Sequence, residues 1–216
     1  MISLSNIPTD QKPFRIDGDT KVYHYGNTLR LLQKLGKLTY GSSFFLRRED
    51  KTILYKLLIY AIGDSENCNK RGLDLSKGIL LSGPIGCGKT SLMFLLNYFI
   101  EHNQKHLIKS TREINAEIHK EGMDVIQKYA KKHKTICFDD LGVEATTKYY
   151  GNDCHTMAEI LLGRYELQIH QNIKTHATTN LNADELEKIY GNRVRSRLRS
   201  MFNLITFPTG TKDKRS

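Results

Sequence analysis

A three-layer α/β fold around a five-stranded parallel sheet is what this sequence predicts. Three observations carry that prediction. Five short strand-like runs recur between residues 78 and 207, the first of them, "GILLSG", an apolar run fit for a buried parallel strand. The segments between them carry helical spacing or charged, amphipathic character, so strands and helices alternate. The first run leads straight into a glycine-rich turn and then an apolar helix.

The elements follow in order. Residues 1–46 have weak periodicity, broken by Pro8, Pro13, Gly18, Gly26, Gly36 and Gly41, and are expected to form an extension with short structured pieces. The globular domain itself is expected over 47–216. It opens with a helix over 47–62, where Ile53, Leu54, Leu57, Leu58 and Ala61 share a face. A polar loop, "GDSENCNKRGLDLSKG", follows. The strands are "GILLSG" (78–83), "HLIKST" (106–111), "TICFDD" (135–140), "IKTHATTN" (173–180) and "FNLITF" (202–207). Helices are expected over "TSLMFLLNYFIEH", over 112–132, over 153–170 with Asp153 as cap, and from "NADELEKIY" onward. In the last of these, Asn182 with Glu185 three residues later makes a capping-box variant.

Composition narrows the function classes. At 216 residues the chain is long enough for one globular domain with a short extension. No stretch approaches the ~20 apolar residues that a membrane span needs. The first residues lack the basic start and apolar run of a secretory signal, so a cytoplasmic location is expected. Cys68, Cys87, Cys137 and Cys154 form no CxxC pair, which argues against a zinc site or a disulfide framework. The formal net charge is +10, and the surplus is uneven. From Lys188 to Ser216 there are eight basic residues against one acid, Asp213. A localised basic excess suits a polyanion, although a solvated face would look the same.

Gly83-Pro84-Ile85-Gly86-Cys87-Gly88-Lys89-Thr90 matches GxxxxGK[ST] between a strand and a helix, the context that motif needs. The glycines let successive N–H groups turn toward phosphate oxygens, and the helix N-terminus, reaching Ser91, adds its positive end. Lys89 is expected on the β and γ phosphates and Thr90 on Mg²⁺. The expected ligand is ATP with Mg²⁺ in a P-loop NTPase. Asp139 and Asp140 close the third strand, at the sheet edge where α/β proteins bind ligands. Asp139 is expected as the second metal ligand and Asp140 as base or water orienter. Asp140 is one methylene shorter than the usual Glu, which predicts slow hydrolysis, and Glu144 is a candidate helper. Asn180 ends the fourth strand after "ATT", as Asn commonly does; the order of elements resembles the AAA+ type of ATPase, which implies that Asn180 touches the attacking water or γ-phosphate.

The run "YGNRVRSRLRS" raises a choice between strand and helix. At 100° per residue from Tyr190, Val194, Leu198 and Met201 fall at about 40°, 80° and 20°, one apolar stripe, so helix is the better pattern. Arg197 and Arg193 then lie at about 340° and 300°, beside the stripe, while Arg195 and Arg199 lie at about 140° and 180° and face outward. A guanidinium half-held by packing suits an arginine finger reaching a neighbour's γ-phosphate. Outward arginines suit DNA phosphates or water.

With GPIGCGKT, FDDLGVE, GRYELQ, ATTNL and YGNRVRSRL in this order, residues 75–210 resemble the DnaC helicase-loader family of AAA+ ATPases and its relative IstB, the ATP-binding helper of transposases. The resemblance implies an AAA+ core in which the Asn180 strand sits between the other two site strands. It implies Lys89, Thr90, Asp139, Asp140 and Asn180 in the roles above, and Arg197 as the trans-acting finger with Arg193 as alternative. It points to Arg215 as a second sensor, with Lys212 and Lys214 close by. It also implies absence of the helical lid, and a partner-docking role for residues 1–46. The function so implied is a replicative helicase loader whose subunits assemble head to tail as a homo-oligomer on single-stranded DNA. A transposase helper is the alternative, and a small-molecule kinase a remote third, since no lid arginines or acceptor-binding acid are found.

Overall fold

The computed structural model describes residues 12–144, 147–149, 152–154 and 156–214. The chain forms two units, Met1–Tyr55 and Lys56–Ser216.

In the first unit, β1 (Phe14–Asp17) and β2 (Thr20–Tyr23) pair antiparallel as a hairpin. Helix α1 (Tyr25–Tyr40) follows, burying Leu31, Leu32 and Leu35 on one stripe. Gly26 and Gly36, read from sequence as chain breakers, both lie inside this helix. Gly36 has a packing reason: a Cβ there would meet the Phe44 ring at 2.0 Å. Helix α2 (Lys51–Ala61) carries the chain across the division.

The second unit begins with a short helix, α3 (Ser65–Lys70), inside the segment expected to be loop. The Asp64 carboxylate accepts from the Asn67 N–H and starts it. Then come β3 (Gly78–Ser82), α4 (Lys89–Leu96), β4 (Leu107–Ser110), α5 (Thr111–Glu121), α6 (Asp124–Ala130) and β5 (Ile136–Asp139). A small hairpin, β6 (Thr147–Tyr149) and β7 (Asn152–Cys154), precedes α7 (Thr156–Gln171). The chain closes with β8 (Thr175–Thr179), α8 (Ala183–Met201) and β9 (Phe202–Thr206). The five predicted strands are the five strands of the sheet, in the order β4-β5-β8-β3-β9, all parallel. β8 thus lies between β3 and β5, as the resemblance implied. Beyond β9 the described residues, 207–214, form no helix.

β3 is buried at all five positions, so both its faces are covered. One face presents Leu80, Phe138, Ala177 and Phe202 to a core completed by Ile114 and Ile118 of α5, Tyr129 of α6, Ile160 and Leu161 of α7 and Leu198 of α8. Burying each large aliphatic or aromatic side chain in such a core stabilises by roughly 1.5–3 kcal/mol.

Four helix expectations change. The segment 112–132 is two helices, interrupted at Gly122. The helix over 90–102 ends at Leu96. Asp153 lies in β7 and is not the cap of α7, which starts at Thr156. The helix after Asn182 and the arginine run are one element, α8, bent at Gly191 (φ 80, ψ 167). Space around Gly191 is open, so it is the backbone angle that calls for glycine there. The Asn182–Glu185 capping box and the stripe Tyr190, Val194, Leu198 and Met201 are as expected.

Candidate functional site

The site gathers at the C-terminal edge of β3, β5 and β8, the edge that α/β sheets use for ligands. Gly83 to Thr90 forms a loop from β3 into α4. Gly86 (φ 78) and Gly88 (φ 95) hold left-handed backbone that bulkier residues resist, and Gly88 is the N-cap of α4. Pro84 is half-buried, Ile85 is 65% exposed, Cys87 is fully buried and Ser91 half-buried. Lys89 is 6% exposed, and its ammonium donates to the Gly83 and Pro84 carbonyls at 2.8 and 2.9 Å. A lysine so placed is desolvated yet held by carbonyls that an anion can replace.

The Thr90 hydroxyl donates to Asp139 Oδ1 at 2.8 Å, bringing the two expected metal ligands together. Asp139 is buried and also accepts from the Thr178 hydroxyl at 2.6 Å. Thr178 in turn accepts from the Asp140 N–H at 3.0 Å. Asp140 carries φ 58, a conformation its short polar side chain tolerates, and its carbonyl accepts from the Thr111 hydroxyl at 2.9 Å. These bonds fix the Asp140 backbone. Its carboxylate has no hydrogen-bond partner among the described residues. At the end of β8, Asn180 Oδ1 is buried and likewise unpartnered there.

β8 is a strand of buried threonines, which would be costly without partners. Thr178 braces Asp139, and the Thr179 hydroxyl donates to Leu141 O at 2.7 Å while accepting from the Leu181 N–H at 3.1 Å. Sequence reading passed over Thr178. The available signal was a fully buried run, "THATT", too polar for a core strand unless its hydroxyls had work. Glu144, the candidate helper, instead accepts from the Tyr190 hydroxyl and from the Gly142 N–H at 3.0 Å. Burial, then the Glu144 charge, push the Tyr190 phenol well above its ordinary range, so it stays a donor.

The four arginines of α8 divide differently from the expectation. Arg197 is half-buried, its guanidinium 4.6 Å from the Tyr165 ring centroid on α7, and so is held by packing. Arg193 and Arg199 are exposed. Arg195 does not face outward: its side chain is only 17% exposed, pairing with Asp184 at 3.0 Å and Glu187 at 2.6 Å and donating to Ala183 O at 2.8 Å. The bend at Gly191 is the reason. The apolar stripe is as counted, but the bend places the second half of α8 so that Arg195, away from that stripe, meets the acids of the first half.

Arg215 lies outside the described residues. Near it, the Lys214 N–H donates to Gly86 O at 3.0 Å, so this segment reaches the phosphate loop.

Among the described residues no group of three or more His, Cys, Asp or Glu is placed to hold a metal, and no helix is long and apolar enough to cross a membrane. Cys68, Cys87 and Cys137 are buried thiols in no disulfide.

No protein-family model and no curated protein matches the sequence. Solved structures do match. The crystal structure of the DnaC helicase loader aligns with a TM-score of 0.53 at 16% identity, covering 77% of this chain and 95% of that one. DnaI aligns with a TM-score of 0.53 at 22% identity, covering 77% of this chain and 89% of that one. The replication initiator DnaA, solved with AMPPCP and single-stranded DNA, aligns with a TM-score of 0.54 at 14% identity over 79% of this chain and 50% of its own. The sheet order, the phosphate loop and these alignments agree: the chain has the α/β fold of the DnaC helicase loader, of DnaI and of about half of DnaA.

Proposed function

We propose that the chain binds ATP with Mg²⁺ at the phosphate loop, hydrolyses it, and acts as a helicase loader on single-stranded DNA. One observation carries the first part: a buried lysine on loop carbonyls, the Thr90–Asp139 pair and the unpartnered Asn180 oxygen converge on one sheet edge. These residues fit the ligand. Two protein oxygens are what Mg²⁺ commonly takes, since it keeps several waters and completes its shell with phosphate. When bound, the ion neutralises charge between the outer phosphates.

The chain's own residues supply the rest. Lys89 exchanges the Gly83 and Pro84 carbonyls for phosphate oxygens at little cost, because both states satisfy its donors. The loop N–H groups and the start of α4 receive the phosphate chain. Thr178 keeps Asp139 aimed. Asp140, with a fixed backbone, orients the attacking water and takes its proton. Asn180 offers its amide oxygen to that water. Arg197, and secondarily Arg193, reaches the γ-phosphate of a neighbouring copy, so that ATP governs head-to-tail assembly into a homo-oligomer.

The loader role is supported by the likeness to the DnaC helicase loader along nearly all of that chain, and DNA contact by the basic excess, in which Arg193 and Arg199 remain exposed. The test of the site is Arg197→Ala. ATP affinity stays near wild type while DNA-stimulated hydrolysis is lost; unchanged hydrolysis removes the finger from the account. A pull-down from the native host should bring down a replicative helicase. A transposase there instead would favour the IstB-like reading.

A further inference from the structure

We infer that the segment Lys212–Lys214 is a latch on the phosphate loop, with the Asp213 carboxylate occupying space that a bound phosphate chain needs. The inference rests on the nucleotide reading above and adds a regulation to that site.

The segment is held onto the loop by several contacts. Phe207, only 1% exposed, continues β9 by donating its N–H to Ser82 O at 2.8 Å. A turn follows in which the Thr211 N–H donates to Pro208 O at 3.0 Å, and the chain doubles back. The Lys214 N–H then donates to Gly86 O at 3.0 Å, and the Lys214 ammonium lies 5.2 Å from the Phe207 ring centroid. The carboxylate between these anchors presses on the loop: a Cβ built on Gly86 would come within 2.1 Å of Asp213 Oδ1 and 2.3 Å of Oδ2. At Gly88 a Cβ would meet Lys214 Cδ at 3.7 Å and Nζ at 3.8 Å. Phosphate-loop glycines keep the backbone bare so that a ligand can approach it. Here the atoms beside two of those glycines belong to the same chain.

The electrostatics favour this arrangement and make it competitive. A carboxylate near the N-terminus of α4 is attracted by the helix dipole, as a phosphate would be. The same carboxylate repels an arriving triphosphate. Lys89, folded onto Gly83 and Pro84, is in the state that needs no ligand. Nucleotide binding must therefore lift Asp213 and break the Lys214–Gly86 bond, which frees the segment for solvent or another protein.

The experiment measures a fluorescent ATP analogue, competed by unlabelled ATP, on the full chain and on Asp213→Ala, Lys214→Pro and Lys89→Ala, each first checked for native circular dichroism. Proline at 214 removes the N–H that reaches Gly86 together with the ammonium over Phe207, so both Lys214 anchors go at once. Apparent affinity scales with the open fraction, so both latch variants should bind about tenfold more tightly than wild type. In wild type, ATP should also speed tryptic cleavage after Lys212 and Lys214. Wild type binding ATP, Lys89→Ala not binding it and both latch variants matching wild type or binding more weakly would overturn the latch and leave the nucleotide reading standing. Binding by none of the chains would overturn both.

Discussion

The two edges of the sheet make different use of buried charge. At the N-terminal edge, Arg164 of α7 is completely buried, and its guanidinium donates to the Thr175 hydroxyl at 2.9 Å, Lys132 O at 2.5 Å, Lys134 O at 3.1 Å and Lys174 O at 3.0 Å. It ties together the chain just before β5 and just before β8. Burial lowers its pKa to about 10, which still leaves it a cation at neutral pH. At the C-terminal edge Lys89 is almost as buried, yet it sits on two carbonyls of a loop that can open. A cavity of ≈ 340 Å³ opens on the Arg164 edge, lined in part by Tyr60, Lys134, Lys174 and His176. What separates the edges is hydrogen-bonding capacity: the arginine's is spent on groups that anchor two strands and Lys89's on loop carbonyls that an anion can replace, while the Asp140 carboxylate and Asn180 Oδ1 have no partner among the described residues.

The sharpest way to break this comparison is Arg164→Met. Removing the cation leaves three carbonyls and a threonine hydroxyl short of a donor and should cost ~3–5 kcal/mol in urea unfolding, the range for breaking a buried charged network. A loss below that of the next substitutions would mean that Arg164 is not a clamp. Acid titration should give the second-largest effect. Burial holds His106 at about 4 and, with the charges of His106, Lys174 and Arg164, holds His176 well below 6.5. Both rings are neutral when folded: His176 Nδ1 accepts from the Ile79 N–H at 2.9 Å, and His106 Nε2 pairs with Met93 O at 2.9 Å. The unfolded chain takes up their protons near 6.5. Stability is therefore full above that pH and drains as pH falls toward 4, by up to ~3 kcal/mol for His106. His106→Gln should flatten the slope of unfolding free energy between those pH values.

On the opposite edge, Thr178→Val should cost ~1–3 kcal/mol, because it leaves Asp139 and the Asp140 N–H without the shared hydroxyl. It should weaken Mg²⁺-dependent nucleotide binding as well, whereas Arg164→Met in its folded fraction should not. Smallest of all, Arg195→Ala should cost ~0.5–1 kcal/mol, since of its acidic partners Asp184 is largely solvated and Glu187 partly so. That loss should vanish in high salt.

Much of this was legible in the residues. Short apolar runs such as "GILLSG" mark buried strands plainly, and all five are found. The phosphate loop, the Asp139–Asp140 pair and Asn180 announce themselves by motif and by position at strand ends. Less legible were features set by a single backbone angle or by tertiary partners. Gly122 divides what looked like one amphipathic helix, and Gly191 bends another, so Arg195 is withdrawn from solvent. The β6–β7 hairpin has no apolar run to betray it. Thr178 looks like any strand threonine until the neighbouring strand brings Asp139 beside it.

Gly191 stands ahead of the second half of α8 and of β9. Its angle sets the bearing of Arg193 and Arg197, and Met201 at the end of the same helix passes directly into Phe202 of β9. Any side chain at 191 would resist that angle. The alignment of the edge strand and the aim of the Arg197 guanidinium are thus two arms of a single lever, pivoting on one residue.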